Sequence, residues 1–449
     1  MRSASARLTG LVAERERAVD AFFAAEQERL ARACHAIAGA LARGGTLIAW
    51  GAGAAATDAA HVTVEFMHPV IVGKRALPAL DLTSDATGSL TLGGAARSGD
   101  VALGIAHGPP DDALRRFLAE AHARGLETVA LAGAGPAPVA DHAFSVPSKD
   151  PEIVQEVQET AYHVLWELVH VFFEHPSLLE ENCVTCGDVA VPARVVSVAG
   201  GTAVVEHDGA REDVAVDLLS DVSTGEVLLC HAGVALERVA EASPAGDDPT
   251  GFLYPFLDAR PGALEPVLDD VRESIGAKAR DVVALRREID VTAVVRCADD
   301  VRARLGGGGR LIAFGNGGSS TDAQDVAADC LAQGRPALAL TNDAATVTAV
   351  ANDVGFDKVF ARQLIALGRS ADVALAISTS GSSPNVVAGL EEAHRQGMLT
   401  CAIAGYDGGT LRDLPWLDHL LVTPSDYVPR IQEAQATTYH LLLAAAAEA

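Results

Sequence analysis

Aromatic residues make up only 4% of this 449-residue chain, and methionine occurs three times. A core that must be built from Ala, Leu and Val, with 42 glycines, suits close packing of helices on sheets, so a soluble α/β protein is expected. Positive charge is also scarce: 34 Lys and Arg against 60 Asp and Glu leave a net charge of −26. That balance argues against nucleic acid or a membrane surface as the main partner, because both need a basic face. Small anions can still be held at local sites. No uninterrupted apolar run approaches about 20 residues. The N-terminal stretch, rich in Arg and Glu, has neither a secretory apolar core nor a cleavage pattern, so a cytoplasmic location is expected. Seven scattered cysteines do not form a disulfide framework. Cys34, Cys297, Cys330 and Cys401 read as small buried hydrophobes, and only Cys183 and Cys186 stand as a pair.

What is present is an echo. Trp50-Gly-Ala-Gly-Ala-Ala-Ala-Thr-Asp58 is matched by Phe314-Gly-Asn-Gly-Gly-Ser-Ser-Thr-Asp322, each after an apolar run. Gln155-Glu-Val-Gln-Glu-Thr-Ala-Tyr-His163 is matched by Gln432-Glu-Ala-Gln-Ala-Thr-Thr-Tyr-His440. Two copies of one domain are therefore expected, and their differences carry the functional information. A chain this long also exceeds what one core of about 100 to 200 residues supports.

Periodicity and breakers give each copy the same order. Helical spacing over Arg7 to Arg43 leads into strands at Thr46 to Trp50, Ala76 to Leu82, Val101 to Ile105, Thr128 to Leu131 and His142 to Val146, with a helix at Asp111 to Arg124 and a closing helix from Pro151 to Glu174. The second copy predicts strands at Leu311 to Phe314, Ala337 to Leu340, Val373 to Ile377, Thr400 to Ile403 and His419 to Val422, then a helix from Pro429. Alternation of β and α implies two doubly wound parallel sheets. Between them, Ala190 to Val239 has short Val- and Leu-rich runs split by Gly, Asp and Ser, as in a small β-barrel. The expected boundaries are 1–178, 179–240, a polar linker at 241–252, and 253–449.

In the second copy, Ser378-Thr-Ser-Gly-Ser-Ser-Pro-Asn385 follows a strand and opens a helix, gathering hydroxyls and backbone N–H groups where phosphate binds. Gly315-Asn-Gly-Gly-Ser319 lies at the end of a neighbouring strand, so the two turns should face one crevice. With Leu340-Thr-Asn-Asp-Ala344, Ala351-Asn-Asp-Val-Gly-Phe356, Phe360-Ala-Arg-Gln363 and Arg430-Ile-Gln-Glu433, this half resembles the sugar isomerase (SIS) superfamily, a flavodoxin-like fold, and within it the phosphoheptose (sedoheptulose 7-phosphate) isomerases. The resemblance implies that Asn316, Ser319, Ser378, Thr379, Ser380 and Ser383 hold a sugar phosphate, and a homo-oligomer is expected.

It also implies a metal and acid–base set, a His and Glu four apart and a Gln and His eight apart. His61, Glu65, Gln155 and His163 fill it in the first copy, a donor set suited to zinc or a similar divalent ion. His61 and His163 also read as satisfied core histidines. Gln155 and His163 would lie about 12 Å apart on a straight helix. Either the helix starts after Gln155, or the site draws groups from a neighbouring subunit or copy. The second copy keeps Gln432 and His440 but carries Asp325 and Asp329, the latter one methylene short for a general base. The expected catalytic groups are thus Glu65 and His163, or Asp329 and His440. The first copy in turn has Ala54-Ala-Ala56 and Ala106-His-Gly-Pro-Pro110 where the second has its hydroxyls. Two degraded isomerases, or a metal-bearing and a phosphate-bearing half sharing composite sites, both follow.

The middle segment, ending Gly225-Glu-Val-Leu-Leu-Cys-His-Ala-Gly-Val-Ala-Leu-Glu237, resembles the HypC/HupF family of hydrogenase maturation chaperones, OB-like β-barrels that carry iron and escort the hydrogenase large subunit among other maturation proteins. Cys186, with Cys183 and His231, is the nearest counterpart of that family's iron thiolate, and a redox pair or zinc half-site fits the Cys-x-x-Cys equally. These features imply a cytoplasmic, phosphosugar-binding accessory protein of nickel-iron hydrogenase maturation; an active ketose–aldose phosphate isomerase and a non-catalytic sugar-phosphate sensor are the alternatives.

Overall fold

The computed structural model describes residues 2–71, 74–83, 94–179, 191–207, 210–216, 219, 222–231, 234–239 and 264–447. It divides into two compact units: Met1–Val171 with Leu268–Ala449, and Phe172–Val267. Both expected α/β halves thus belong to one unit.

The N-terminal half runs α1 (Arg2–Ala42), β1 (Leu47–Gly51), α2 (Ala55–Met67), β2 (Ala79–Asp81), β3 (Val101–Ile105), α3 (Asp112–Ala123), β4 (Glu127–Ala132), β5 (His142–Ser145) and α4 (Pro151–Phe173). Its five strands are parallel in the order β2-β1-β3-β4-β5. Every residue of β1 and β3 is buried, as strands covered by helices on both faces must be. Asp111 caps α3 by accepting from the Leu114 N–H, which places the helix start where the sequence predicts it.

The other unit holds β6 (Val191–Ala199), β7 (Thr202–His207), β8 (Ala210–Ala215), β9 (Val227–His231) and β10 (Val234–Val239), closed into a barrel in the order β10-β8-β7-β6-β9. Its core is made of small aliphatics such as Ala193, Val195, Val205, Val214 and Leu228. The C-terminal half follows with α5 (Leu264–Arg287), α6 (Val291–Gly306), β11 (Leu311–Phe314), α7 (Gly318–Ala332), β12 (Ala337–Ala339), α8 (Ala344–Asp353), α9 (Val359–Leu367), β13 (Val373–Ser378), α10 (Pro384–Arg395), β14 (Leu399–Ala404), β15 (His419–Val422) and α11 (Val428–Ala446). Its sheet has the matching order β12-β11-β13-β14-β15.

The two sheets share core material. Leu8 and Val12 of α1 are buried with Val294, Val301, Leu311 and Leu442, on one face of the C-terminal sheet. Among the described residues no helix is long and apolar enough to cross a membrane, and Cys34, Cys230, Cys297, Cys330 and Cys401 are buried and unbridged.

Candidate active site

In both sheets the strand order reverses next to the first strand, so the loops after β1 and β3, and after β11 and β13, flank a crevice at the carboxyl ends of the strands. In the C-terminal half the chain leaves β11 through Gly317 at φ +57°, a left-handed conformation that favours glycine, and α7 begins at Gly318. β13 ends at Ser378, and Ser383 precedes α10, whose first residue is Pro384. The Ser383 hydroxyl does not cap its own helix and lies 3.5 Å from Ser378 Oγ. Gly381 N–H donates to Ser378 Oγ and Ser382 N–H to Ser380 Oγ, both at 3.2 Å, while the Thr379 carbonyl accepts from Gly405 N–H at 3.0 Å. Asn316 and Asn385 exchange amide hydrogen bonds at 2.9 and 2.8 Å, which joins the two turns across the crevice. With the buried Ser319 at the start of α7, the result is a cradle of hydroxyls between two helix N-termini, suited to an anion.

Against this cradle stands a cluster from the other half. His61 and Glu65 lie one turn apart on α2, and α4 brings in His163; each offers one donor atom, all within 4.8 Å of one another. His61 Nε2 is 3.7 Å from Glu65 Oε1. Gln155 is on α4 with His163, and α4 starts at Pro151, so one continuous helix keeps the two about 12 Å apart. The amide facing His61 is instead that of Gln432 on α11, whose Nε2 lies 3.1 Å from His61 Nε2; a half-turn of the amide puts its oxygen in that place. Gly318 closes the arrangement: a Cβ there would meet Gln432 Nε2 at 2.0 Å and His61 Nε2 at 2.5 Å. The backbone that opens the C-terminal cradle therefore packs directly on the N-terminal cluster.

Both oxygens of Glu65, Nε2 of His163 and Oε1 of Gln432 are buried without a hydrogen-bond partner. Buried polar atoms are normally paired, and this convergent set of imidazole, carboxylate and amide oxygen fits a divalent ion of the zinc class. The outer groups point the same way. Glu433 holds His163 Nδ1 at 2.9 Å and Tyr162 OH meets His61 Nδ1 at 3.2 Å, which leaves each Nε2 for the cluster. Burial, then the charge of His61, holds His163 well below its ordinary pKa. Burial pushes Glu65 up, but His61 and His163 outweigh it and keep its pKa below the ordinary value. A second group, His61 with Glu159 and Asp322, adjoins the first. Burial and the charges of Asp322 and Glu433 push Glu159 well above the carboxylate range.

The corresponding positions of the C-terminal half are built differently. Asp325 accepts from Thr57 Oγ1, and Asp329 Oδ2 lies 3.5 Å from His440 Nε2. His440 Nδ1 is bonded to Glu156 Oε1 at 2.8 Å. Burial alone would lower the His440 pKa; hydrogen bonding to Asp329 and Glu156 overcomes this and raises it to about 10. An imidazolium wedged between two carboxylates is not an open metal ligand. Its folded pKa exceeds the unfolded value of about 6.5, so its contribution to stability is complete below about pH 6.5 and is lost as pH rises towards about 10. His440→Gln should therefore be most destabilising near pH 6 and progressively less so towards pH 10, read from urea midpoints of both proteins at each pH. The N-terminal half offers no hydroxyls where this site would need its cradle, since Ala54, Ala55, Ala56 and Ala106 stand there.

His231 is the last residue of β9; Cys183 and Cys186 lie outside the described residues. Sequence reasoning missed Glu156 and Glu433, although both follow the echoed glutamines, and Arg286, which is fully buried with Nη2 3.4 Å from Glu156 Oε2.

A SIS domain model matches residues 277–405, and a HupF/HypC family model matches residues 189–245. The phosphoheptose isomerase of Roseiflexus sp. (strain RS-1) is 40% identical over 182 residues, 39% of this chain and 89% of that protein. That of Geobacter metallireducens is 46% identical over 146 residues, 31% of this chain and 76% of that protein. The fold is similar to the C-terminal domain of glucosamine-fructose-6-phosphate aminotransferase from Francisella tularensis, with a TM-score of 0.52 over 95% of this chain and 93% of that one; at 9% identity the likeness concerns the fold alone.

Proposed function

The chain belongs to the phosphoheptose isomerase family of SIS-domain proteins, and from that premise we propose that it carries one composite, metal-dependent phosphosugar isomerase site, metal-binding on the N-terminal side and phosphate-binding on the C-terminal side. The observation that carries this reading is the packing of Gly318 against both His61 and Gln432. His61, Glu65, His163 and Gln432 would hold the ion, zinc by donor type, and the ion when bound polarises a substrate carbonyl oxygen. Ser319, Ser378, Ser380 and Ser383, with Asn316 and the Thr379 backbone, hold and orient the phosphate. Glu65, kept as a carboxylate, takes a proton from the carbon beside the carbonyl and returns it to the neighbouring carbon through a cis-enediol. The hydroxyl proton passes to the former carbonyl oxygen between the two adjacent oxygens of the enediol, while His163, kept neutral, offers Nε2 to the ion and is held through Nδ1 by Glu433.

Phosphate binding is tested by thermal shift. At 100 times its dissociation constant, sedoheptulose 7-phosphate should add about 2.7 kcal/mol to the parent, and Ser378→Ala with Ser380→Ala should abolish the gain. An undiminished shift would place the ligand elsewhere. Turnover of the same ketose phosphate, lost in His61→Ala, separates an isomerase from a sensor.

The HupF/HypC match over residues 189–245 favours a second role on the same chain. In that reading Cys186, with Cys183 and His231 as helpers, carries iron for nickel-iron hydrogenase maturation, and the isomerase-like halves serve an accessory protein. Loss of bound iron and of hydrogenase large-subunit capture in Cys186→Ala, in an anaerobic pull-down, is the expected result. Equal capture by Cys186→Ala and by the Cys183/Cys186 double variant would refute it.

A further inference from the structure

The loop after β3 has lost every hydroxyl of an anion cradle, yet besides the helix-capping Asp111 it holds one ionisable side chain, His107. Strand register equates its position with the cradle of the other half: Leu47 pairs with Val101 as Leu311 pairs with Val373. Counting onward from Val101 and Val373, His107 occupies the place of Thr379. Its side chain is only 8% exposed, and Nε2 lies 2.6 Å from Asp58 Oδ2. Asp58, on α2, uses its other oxygen to accept from Tyr162 OH at 3.3 Å. The Tyr162 oxygen in turn lies 3.2 Å from His61 Nδ1. Asp58, Tyr162 and His61 are each no more than 2% exposed. A continuous chain of hydrogen bonds thus runs from the altered loop to the cluster facing Gln432.

The polarity of this chain follows from its donors and acceptors. A carboxylate only accepts, so His107 Nε2–H and Tyr162 O–H both donate to Asp58. Tyr162 has then given its one proton, and its oxygen can only accept from His61. In the neutral imidazole that a metal ion requires, this puts the His61 proton on Nδ1 and leaves the Nε2 lone pair facing the cluster, with Glu65 Oε1 at 3.7 Å and the Gln432 amide at 3.1 Å. With His107 gone, the Asp58 carboxylate still fixes the direction of the remaining bonds but loses the partner that holds its other oxygen in place, so Tyr162 and, through it, His61 are held less firmly. Outer-shell partners of this kind typically carry 10- to 100-fold in metal affinity.

We infer that His107 is a positioning residue for the metal site, holding Asp58 in place and through Tyr162 orienting the His61 ring, so that the loop which gave up phosphate binding supports the metal instead. This rests on the reading of His61, Glu65, His163 and Gln432 as a divalent-ion site.

The test is zinc competition against a chromophoric chelator on the full-length protein, together with the visible spectrum of the cobalt(II) form. His107→Ala and Tyr162→Phe should each weaken zinc roughly 10- to 100-fold and shift the cobalt bands. His107→Gln, whose amide N–H can still donate to Asp58, should recover most of the affinity and the parent spectrum. If the parent takes up zinc and His107→Ala binds it equally well with the same spectrum, the relay is overturned and the metal reading stands. If His107→Ala and His107→Gln are equally weak with unchanged bands, the residue only packs the loop, and the relay is again overturned. A parent protein that takes up no zinc overturns both.

Discussion

Gln432→Ala should empty the metal cluster as fully as His61→Ala, although the two residues are 371 positions apart in the chain. Elemental analysis of zinc-grown protein should fall from about one ion per chain to near zero in either variant, because removal of an inner ligand exceeds the 10- to 100-fold expected for outer-shell partners. Gln155→Ala should keep its ion. The contrast separates this geometry from the arrangement inferred within one copy, where Gln155 would be the ligand. Retention of metal by Gln432→Ala with loss in Gln155→Ala would reverse the assignment.

Glu156→Gln should cost about 3 to 5 kcal/mol of stability, the range for breaking one partner out of a buried ion network. Glu156 is fully buried, with Arg15 Nε at 2.7 Å, His440 Nδ1 at 2.8 Å and Arg286 Nη2 at 3.4 Å. Burial pushes its pKa up, but Arg15, the His440 hydrogen bond and Arg286 outweigh it and hold the carboxyl far below its usual range. The variant leaves two guanidinium groups and one imidazolium buried around a neutral amide. Urea unfolding should show the loss directly, and a further Arg15→Met change should recover part of it by removing one stranded charge. A shift under about 1 kcal/mol would mean that water reaches the network.

Much of this was legible along the chain. Central strands announced themselves as unbroken apolar runs, and β1, β3, β11 and β13 begin and end within a residue or so of their expected places. The anion cradle was legible only from two segments taken together, the Gly-rich turn after one strand and the Ser-rich turn after its neighbour, since either alone reads equally as an ordinary turn or helix cap. Gln432 was less legible because its partners are remote. Its own echo pairs it with His440, eight residues on, and helix geometry forbids one rigid segment from bringing both to a single ion. Glu433, Tyr162 and Arg286 were hidden for a related reason, since a buried acid, phenol or guanidinium announces no role until its partner is known.

Sequence alone therefore determined the α/β class, the β-rich segment between the halves, the phosphate-type loop, and the complementary losses of the two halves, since all of these are recorded in local periodicity and residue chemistry. Tertiary structure decided which losses matter. By packing α2 and α4 of one half against α7 and α11 of the other, it joins the half that kept its His, Glu and His to the half that kept its serines. His440, without a histidine at 325 or a glutamate at 329, is left between two carboxylates. Distance and burial make that choice, and neither is written in the order of residues along the chain.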